Sequence, residues 1–230
     1  MESGYQRFVM CPGSTDNSRR FTLLAEIAVI LAPVLMIVWG TPLLIEEKRR
    51  RDAVDFYLMV AAVLIGLALN RYRRESLPEI GLRLDNLLEA GRELLAFTAT
   101  TCAIILGVGV AFGSVNLGMR FLTQLTVLPF WGLLQQYGLL GVINRRLRQL
   151  CARERWSACI TAAIFSAIHL PNPALAVATF IGGFFWTRTF QRHPNLIVIG
   201  LSHGFMSALL SNSLPHAWLP SMRVGWGFFN

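Results

Sequence analysis

Two glutamines and two histidines interrupt long apolar stretches of the chain, at Gln135, Gln136, His169 and His203. An imidazole can give or take a proton near neutral pH, whereas an amide only donates and accepts hydrogen bonds. A buried amide that lacks a hydrogen-bond partner costs about 1–3 kcal/mol by protein mutational data. The adjacent glutamines therefore require either a partner or a function.

The sequence around these four residues has the composition of a membrane protein. Of the 230 residues, 54% are hydrophobic and only 15% are charged, whereas a soluble domain carries about 25% charged residues. From residue 97 onward, Glu154 is the only carboxylate. Because a charge at the bilayer centre is costly, this distribution predicts an integral membrane protein whose immediate partners are membrane lipids.

The apolar runs predict an all-α fold, a polytopic transmembrane helical bundle of about seven spans. The predicted spans are 21–45, 54–70, 94–118, 121–143, 156–170, 174–188 and 195–211. Residues 77–95 alternate leucines with charged residues at near-helical spacing, which predicts an additional amphipathic helix at the membrane interface. A soluble linker helix is the alternative interpretation of that segment.

The chain is accordingly divided into four parts. We predict a flexible N-terminal tail (1–20), N-terminal membrane helices with the amphipathic helix (21–92), a tighter transmembrane core (93–211) and an interfacial C-terminal tail (212–230). The C-terminal tail is rich in tryptophan and phenylalanine, and tryptophan is enriched at membrane–water interfaces. The alternative interpretation is that it forms an incomplete eighth membrane segment. The four cysteines have no CxxC spacing, which disfavours a disulfide framework or a zinc cluster.

The basic residues indicate an orientation. If the seven spans hold, six of the 21 basic residues fall on one face, at Lys48, Arg49, Arg50, Arg51, Arg120 and Arg223. The other fifteen fall on the opposite face with the N-terminus, which the positive-inside rule then places in the cytoplasm. The cluster 48–51 opposes this orientation, and a re-entrant first pair of spans is the alternative. The arginines flank apolar runs rather than aromatic-interleaved polar faces, so nucleic acid is not an expected partner.

The depths of the polar residues predict a shared site. At 1.5 Å per residue, Gln135 lies about 13 Å, His169 about 20 Å and His203 about 12 Å from the face that carries the N-terminus. Polar side chains within a membrane tend to face one another, so three helices are expected to bring these groups together. The alternative is that each histidine only makes an interhelical hydrogen bond. Glu26, in the first span, has no obvious partner and is interpreted as structural.

The motifs around these residues resemble those of the CPBP family, the CaaX-protease-like and bacteriocin-processing intramembrane endopeptidases. FSAIHLPNP (165–173) resembles the family's FxxxH motif, with its histidine at His169, and NLIVIGLSHGFMSALL (195–210) resembles the motif whose histidine matches His203. FIGGFFWTRT (180–189) resembles the glycine-containing helix between them. WGLLQQYGLLGVINRRL (131–147) occupies the place of the EExxxRG motif, and the resemblance covers about residues 93–211.

The departures from the family pattern bear on activity. The two glutamates are replaced by Gln135 and Gln136, the arginine by Leu140, and the asparagine four residues after the second histidine by Ser207. In the family the first glutamate is taken to activate water, while the histidines and the asparagine stabilise the oxyanion. A neutral amide cannot take a proton from water. Losing the arginine together with both carboxylates leaves no buried charge uncompensated.

The resemblance implies peptide-bond hydrolysis within a membrane, with a membrane-embedded peptide or protein as substrate, and the bacterial plasma membrane as the location. The predicted catalytic residues are His169, His203, Gln135 and Gln136. No cofactor is expected; zinc is disfavoured because the carboxylates are missing.

Three functions remain open from the sequence. A peptidase would use His169 or His203 as the base, with the glutamines positioning water or the scissile carbonyl, or with a nearby serine such as Ser166 as nucleophile. A pseudoprotease would bind a membrane peptide, lipid or partner protein without cutting it. A transporter is the third, although no inverted repeat is visible.

Overall fold

The computed structural model describes residues 15–229, with side chains from residue 17 onward, and every regular element within this range is helical. Seven helices follow one another: α1 (Thr15–Leu35, continuing through a π-helical segment, Met36–Gly40, into Thr41–Leu44), α2 (Lys48–Tyr72), α3 (Leu87–Ala111), α4 (Met119–Gln136, continuing through a π-helical segment, Tyr137–Asn144, into Arg145–Leu150), α5 (Glu154–Ile168), α6 (Pro173–Arg192) and α7 (Leu196–Ser213). A short 3-10 helix, Gly225–Phe228, follows. Of the predicted N-terminal tail, residues 1–14 lie outside the described range, and α1 begins at Thr15.

The predicted all-α membrane bundle is confirmed. Five helices (α1, α2, α3, α4 and α7) are long and apolar enough to cross a membrane. The helix α5 has 15 residues, which span about 22 Å, less than the roughly 30 Å of a hydrocarbon core. The helix α6 is longer but carries Arg188 and Arg192 near its end. The chain is an integral membrane protein, and its described residues form seven main helices.

Contacts between helix ends define two faces of the bundle. The beginning of α1, the end of α2, the end of α4 and the α6–α7 junction meet at one end, which we call the N-terminal face; Glu26 there binds Arg73 and Arg146. The α1–α2, α3–α4 and α5–α6 turns lie at the other end, which we call the opposite face. The α1–α2 turn is held there by a hydrogen bond of 2.5 Å from the Thr41 hydroxyl to Asp55.

The predicted amphipathic helix over residues 77–95 is wrong. Residues 73–86 form turns, and the helical residues from Leu87 onward belong to α3. Gly81 has a φ of +88°, a left-handed conformation that interrupts a right-handed helix. Its carbonyl accepts a hydrogen bond of 2.8 Å from the amide of Leu196, and Ile80 is only 2% exposed. Contacts with α7 therefore bury Ile80 and Gly81 in a turn, while Leu77 and Leu84 stay exposed.

A buried ion network joins α1, α2 and α4 at the N-terminal face. Glu26 accepts hydrogen bonds from Arg73 at 2.6–2.9 Å and from Arg146 Nε at 3.0 Å. Arg146 also binds Glu75 at 2.9 Å, and Glu75 accepts a further bond from Arg145 at 2.9 Å. The side chain of Arg146 has no exposed surface and that of Glu26 only 7%. The sequence left Glu26 without a partner, because its partners lie 47 and 120 residues away.

The helices α4 and α7 pack backbone against backbone. Gly200 and Gly204 lie on the face of α7 that meets α4, in the small-xxx-small spacing that allows membrane helices to approach closely. A β-carbon on Gly204 would lie 2.5 Å from Pro129 Cα, and one on Gly200 would lie 2.9 Å from Leu133 Cα. This close contact fixes the residues between the two glycines, His203 among them, against α4.

The segment after α7 folds back onto the opposite face and is held by the cap of α6. Asn172 is fully buried, and its side-chain carbonyl accepts a hydrogen bond of 3.2 Å from Leu175 N at the first turn of α6. Its amide group donates to the carbonyls of Ser221 and Arg223 at 2.9 and 3.2 Å. One side chain therefore begins a helix and anchors the C-terminal segment.

Asn172→Ala is expected to lower the free energy of unfolding by about 0.5–2 kcal/mol, the range for loss of an N-cap. It should also loosen residues 221–223, because both side-chain bonds to the carbonyls of Ser221 and Arg223 come from the same amide. Thermal unfolding in detergent measures the first effect, and trypsin cleavage after Arg223 measures the second. An unchanged cleavage rate would contradict the anchoring role.

Candidate functional site

The first pair of predicted site residues meets across the α4–α7 contact. The Gln136 Nε2 donates a hydrogen bond to His203 Nδ1 at 3.2 Å, and the two residues are 0% and 5% exposed. Because the amide nitrogen can only donate, His203 Nδ1 is the acceptor, and the ring proton of the neutral histidine lies on Nε2. Within the described range Gln136 Oε1 has no hydrogen-bond partner.

Aromatic rings hold the imidazole of His203 in place. The Trp186 ring lies 4.6 Å from it between centroids, at 35°, and the Phe165 ring meets it edge-on at 5.6 Å. The indole nitrogen of Trp186 donates to Ser202 Oγ at 3.1 Å, and that hydroxyl is 2.8 Å from the Thr98 hydroxyl. Three helices besides α4 thereby fix the orientation of His203.

His169 ends α5 and has a different environment. Its Nδ1 lies 2.7 Å from the Phe165 carbonyl oxygen, and since a carbonyl only accepts, Nδ1 carries the proton. The other nitrogen, Nε2, therefore keeps its lone pair, and the ring is partly exposed. Phe165 packs edge-on against this ring too, at 4.8 Å. Phe165 therefore contacts both histidines and lies between their environments.

Gln135 and His169 line a cavity of about 210 Å³ between α1, α2, α4 and α5. The rest of its wall is almost entirely apolar and includes Val63, Trp131 and Val224. Gln135 is partly exposed, and its side chain makes no hydrogen bond with the described residues.

The four predicted site residues thus form two neighbouring groups. Gln136 and His203 are bonded to each other in the packed interior and do not line the cavity, whereas Gln135 and His169 do. Successive residues of an α-helix point about 100° apart, and here that rotation places Gln136 against α7 while Gln135 lines the cavity. The sequence predicted a single chamber for all of them, and the structure gives each group its own environment.

The other family positions are accommodated by packing. Leu140, in place of the motif's arginine, is 0% exposed within the π-helical segment of α4. The hydroxyl of Ser166 donates to the Ala176 carbonyl at 2.7 Å, so its proton is not directed to His169. Ser207 is partly exposed on α7.

The donor set around the site does not fit a zinc ion. Catalytic zinc sites use three protein ligands drawn from histidine, cysteine and carboxylates. Here the lone pair of His203 Nδ1 is already engaged by Gln136, and no group of three such residues is close enough for a metal within the described range. The chemistry available to these residues is hydrogen bonding and, at His169 Nε2, proton transfer.

These observations define a class: a polytopic helical membrane protein whose polar site is built by α4, α5 and α7 beside an apolar cavity. Residues 118–209, which include all four predicted site residues, match the family model described as type II CAAX prenyl endopeptidase Rce1-like. This match confirms the resemblance to the CPBP family over that part of the chain. No curated protein and no solved structure is significantly similar to the chain.

Proposed function

We propose that this protein is a non-hydrolytic member of the Rce1-like family that holds a membrane-embedded peptide in the cavity between α1, α2, α4 and α5. The observation that carries the proposal is the pair of unsatisfied polar groups on the wall of that cavity. Gln135 and His169 both line this otherwise apolar space, and neither the Gln135 amide nor His169 Nε2 has a hydrogen-bond partner among the described residues. An apolar cavity with a few converging polar groups is typical of a ligand site.

A peptide in extended form satisfies these groups. Its backbone carries unpaired N–H and C=O groups, which are expensive to bury in an apolar setting. The Gln135 amide can donate to a carbonyl and accept from an N–H, and His169 Nε2 can accept from an N–H. Apolar side chains or a prenyl chain, the substrate feature in the family's name, would occupy the apolar wall.

We propose no hydrolysis because no carboxylate that could act as a base lines the cavity within the described residues. Gln135 cannot take a proton from water, and Gln136 is committed to His203. The two carboxylates that the sequence offers near the core are engaged at the N-terminal face, Glu93 with Arg192 and Glu154 with Arg148. A bound peptide would be held without a carboxylate base beside it.

A second function is favoured by one observation. His169 lines the cavity, and its Nε2 keeps a free lone pair, as a general base requires. A peptidase would use His169 to activate water, with Gln135 hydrogen-bonded to the scissile carbonyl. The predicted cytoplasmic N-terminus and the bacterial plasma membrane remain predictions under either function.

One experiment separates the two functions. Purified protein in nanodiscs is titrated with a fluorescent farnesylated CAAX peptide and with its unprenylated counterpart, and the products are analysed by mass spectrometry. We expect saturable binding and no cleavage. Gln135→Leu should weaken binding up to about tenfold, since a hydrogen bond contributes about 0.5–1.5 kcal/mol. Gln149→Leu, which alters an exposed amide at the N-terminal face, is the matched control and should bind like the wild type.

The outcomes differ clearly. Cleavage by the wild type that His169→Ala abolishes would replace the proposal with the peptidase function. No binding of either peptide, or equal binding by Gln135→Leu and the wild type, would contradict the proposed site. The double variant Gln135→Glu/Gln136→Glu restores the family's carboxylates, and cleavage gained only by that variant would support a binding site that has lost its base.

A further inference from the structure

A second concavity, which we call the arginine groove, runs between α3 and α6 near the start of α5. It has a volume of about 760 Å³, within the roughly 300–1,000 Å³ of small-molecule sites. None of its lining residues lines the cavity beside Gln135 and His169. The arginine groove is therefore separate from the proposed peptide site.

The wall of the arginine groove changes from charged to apolar with depth. Arg192 is the last residue of α6, Arg188 lies one turn earlier, and Arg155 is the second residue of α5, so all three lie near the N-terminal face. One further turn toward the membrane centre, about 5.4 Å, the rings of Phe97 and Phe185 stack at 4.4 Å between centroids. Thr100 and Thr101, one turn beyond Phe97 on α3, complete the wall.

The charges at the mouth of the arginine groove are unbalanced. Three arginines and one carboxylate line it. Arg192 forms an ion pair with that carboxylate, Glu93. Arg188 donates to the side-chain oxygen Oε1 of Gln191 at 2.8 Å and lies 3.8 Å from Glu154. Arg155 is exposed and has no hydrogen-bond or ion-pair partner among the described residues. A positive charge without an internal partner thus stands at the mouth.

We propose that the arginine groove binds an anionic phospholipid from the leaflet at the N-terminal face. The lipid phosphate pairs with Arg155 and Arg188, and one acyl chain lies along Phe97 and Phe185. Basic pockets between transmembrane helices are suited to anionic head groups, and guanidinium groups bind phosphate in a bidentate geometry.

The order of groups along the groove favours a lipid over a water-soluble phosphate compound or an acidic peptide. A phospholipid presents its phosphate at the surface and its hydrocarbon beneath, and the groove has arginines at the surface and aromatic rings beneath. Phe185 is 45% exposed, on a helix whose neighbours α3 and α7 are apolar enough to cross the membrane. A soluble anion would leave that apolar wall uncovered.

The test is lipid retention by the full-length protein in detergent, measured by native mass spectrometry. Phosphatidylglycerol and phosphatidylcholine with identical acyl chains are compared, and glycerol phosphate is added as a soluble competitor. We expect the wild type to retain phosphatidylglycerol preferentially, and glycerol phosphate not to displace it. Arg155→Gln should weaken phosphatidylglycerol binding about fivefold, as expected for one basic residue at a membrane surface.

Matched variants make the result specific. Arg153→Gln removes an exposed arginine two residues away that does not line the groove, and it should behave like the wild type. Arg155→Lys keeps the charge and should retain most of the preference. Equal retention of the two lipids, equal effects of Arg153→Gln and Arg155→Gln, or displacement by glycerol phosphate would each overturn the proposal.

Discussion

Glu26→Ala is expected to lower the free energy of unfolding by about 3–5 kcal/mol, the range for removing one partner of a buried ion pair. The change would leave Arg146, whose side chain has no exposed surface, with Glu75 as its remaining carboxylate partner. Glu75, which already binds Arg145, would be shared between the two arginines. Arg73 would lose both oxygens that it now binds. Since α1, α2 and α4 meet through these groups, the loss should separate the N-terminal part of the bundle from the core.

The measurement is unfolding in mixed micelles, followed by helical circular dichroism and by accessibility of Cys102, which is buried in α3. Asp52→Ala is the matched control because it breaks the exposed Lys48–Asp52 pair at 2.6 Å. That pair should contribute about 0.5 kcal/mol or less. Equal effects of the two substitutions would show that the buried network contributes no more than a surface pair.

Gly204→Ala is expected to destabilise the protein by about 1–3 kcal/mol or more, as overpacking of a filled interface does. The new methyl group would lie 2.5 Å from the Cα of Pro129 and 2.6 Å from the carbonyl carbon of Leu128. These are backbone atoms, so the contact cannot be relieved by a rotamer change, and α4 and α7 must move apart. The same movement would lengthen the hydrogen bond between Gln136 and His203.

Gly107→Ala is the matched control for Gly204→Ala. Gly107 also lies within a membrane helix, α3, but a β-carbon there would have nothing within 4 Å. Because alanine favours the helix over glycine by about 1 kcal/mol, Gly107→Ala should be neutral or slightly stabilising. Thermal unfolding of both variants in the same detergent tests the pair, and a neutral Gly204→Ala would contradict the close packing of α4 against α7.

Much of the architecture could be predicted from composition. The seven helices are confirmed because apolar runs of this length report directly on local structure. The short apolar runs of α5 and α6 also predicted helices correctly, although neither is among the five that meet the length and apolarity of a span. Local sequence patterns gave wrong predictions where the backbone conformation depends on residues far away in the sequence. The leucine spacing of 77–95 looked helical, but the turn at Gly81 depends on Phe190 and Leu196, more than a hundred residues away.

The contact between polar residues of α4 and α7 was more predictable than the arrangement of all four polar residues. Depth along each helix correctly implied that a glutamine of α4 and a histidine of α7 could meet, and Gln136 bonds to His203. Depth carries no information about rotation around the helix axis. That rotation separates Gln135 from Gln136, and it depends on which face of α4 the glycines of α7 approach. The roles of these residues in binding or catalysis stay predictions.

The π-helical segment Tyr137–Asn144 joins two parts of α4 that make different contacts. Before it lies Gln136, bonded to α7, and after it lie Arg145 and Arg146, bonded to Glu26 and Glu75. Each π turn takes in extra chain relative to an α turn. Deleting a single residue there would rotate all later residues of α4 by roughly 100° about the helix axis. Either Gln136 would then lose its contact with α7, or Arg145 and Arg146 would lose their contacts with Glu26 and Glu75. The spacing between the motif and the arginines is therefore intolerant of insertions and deletions.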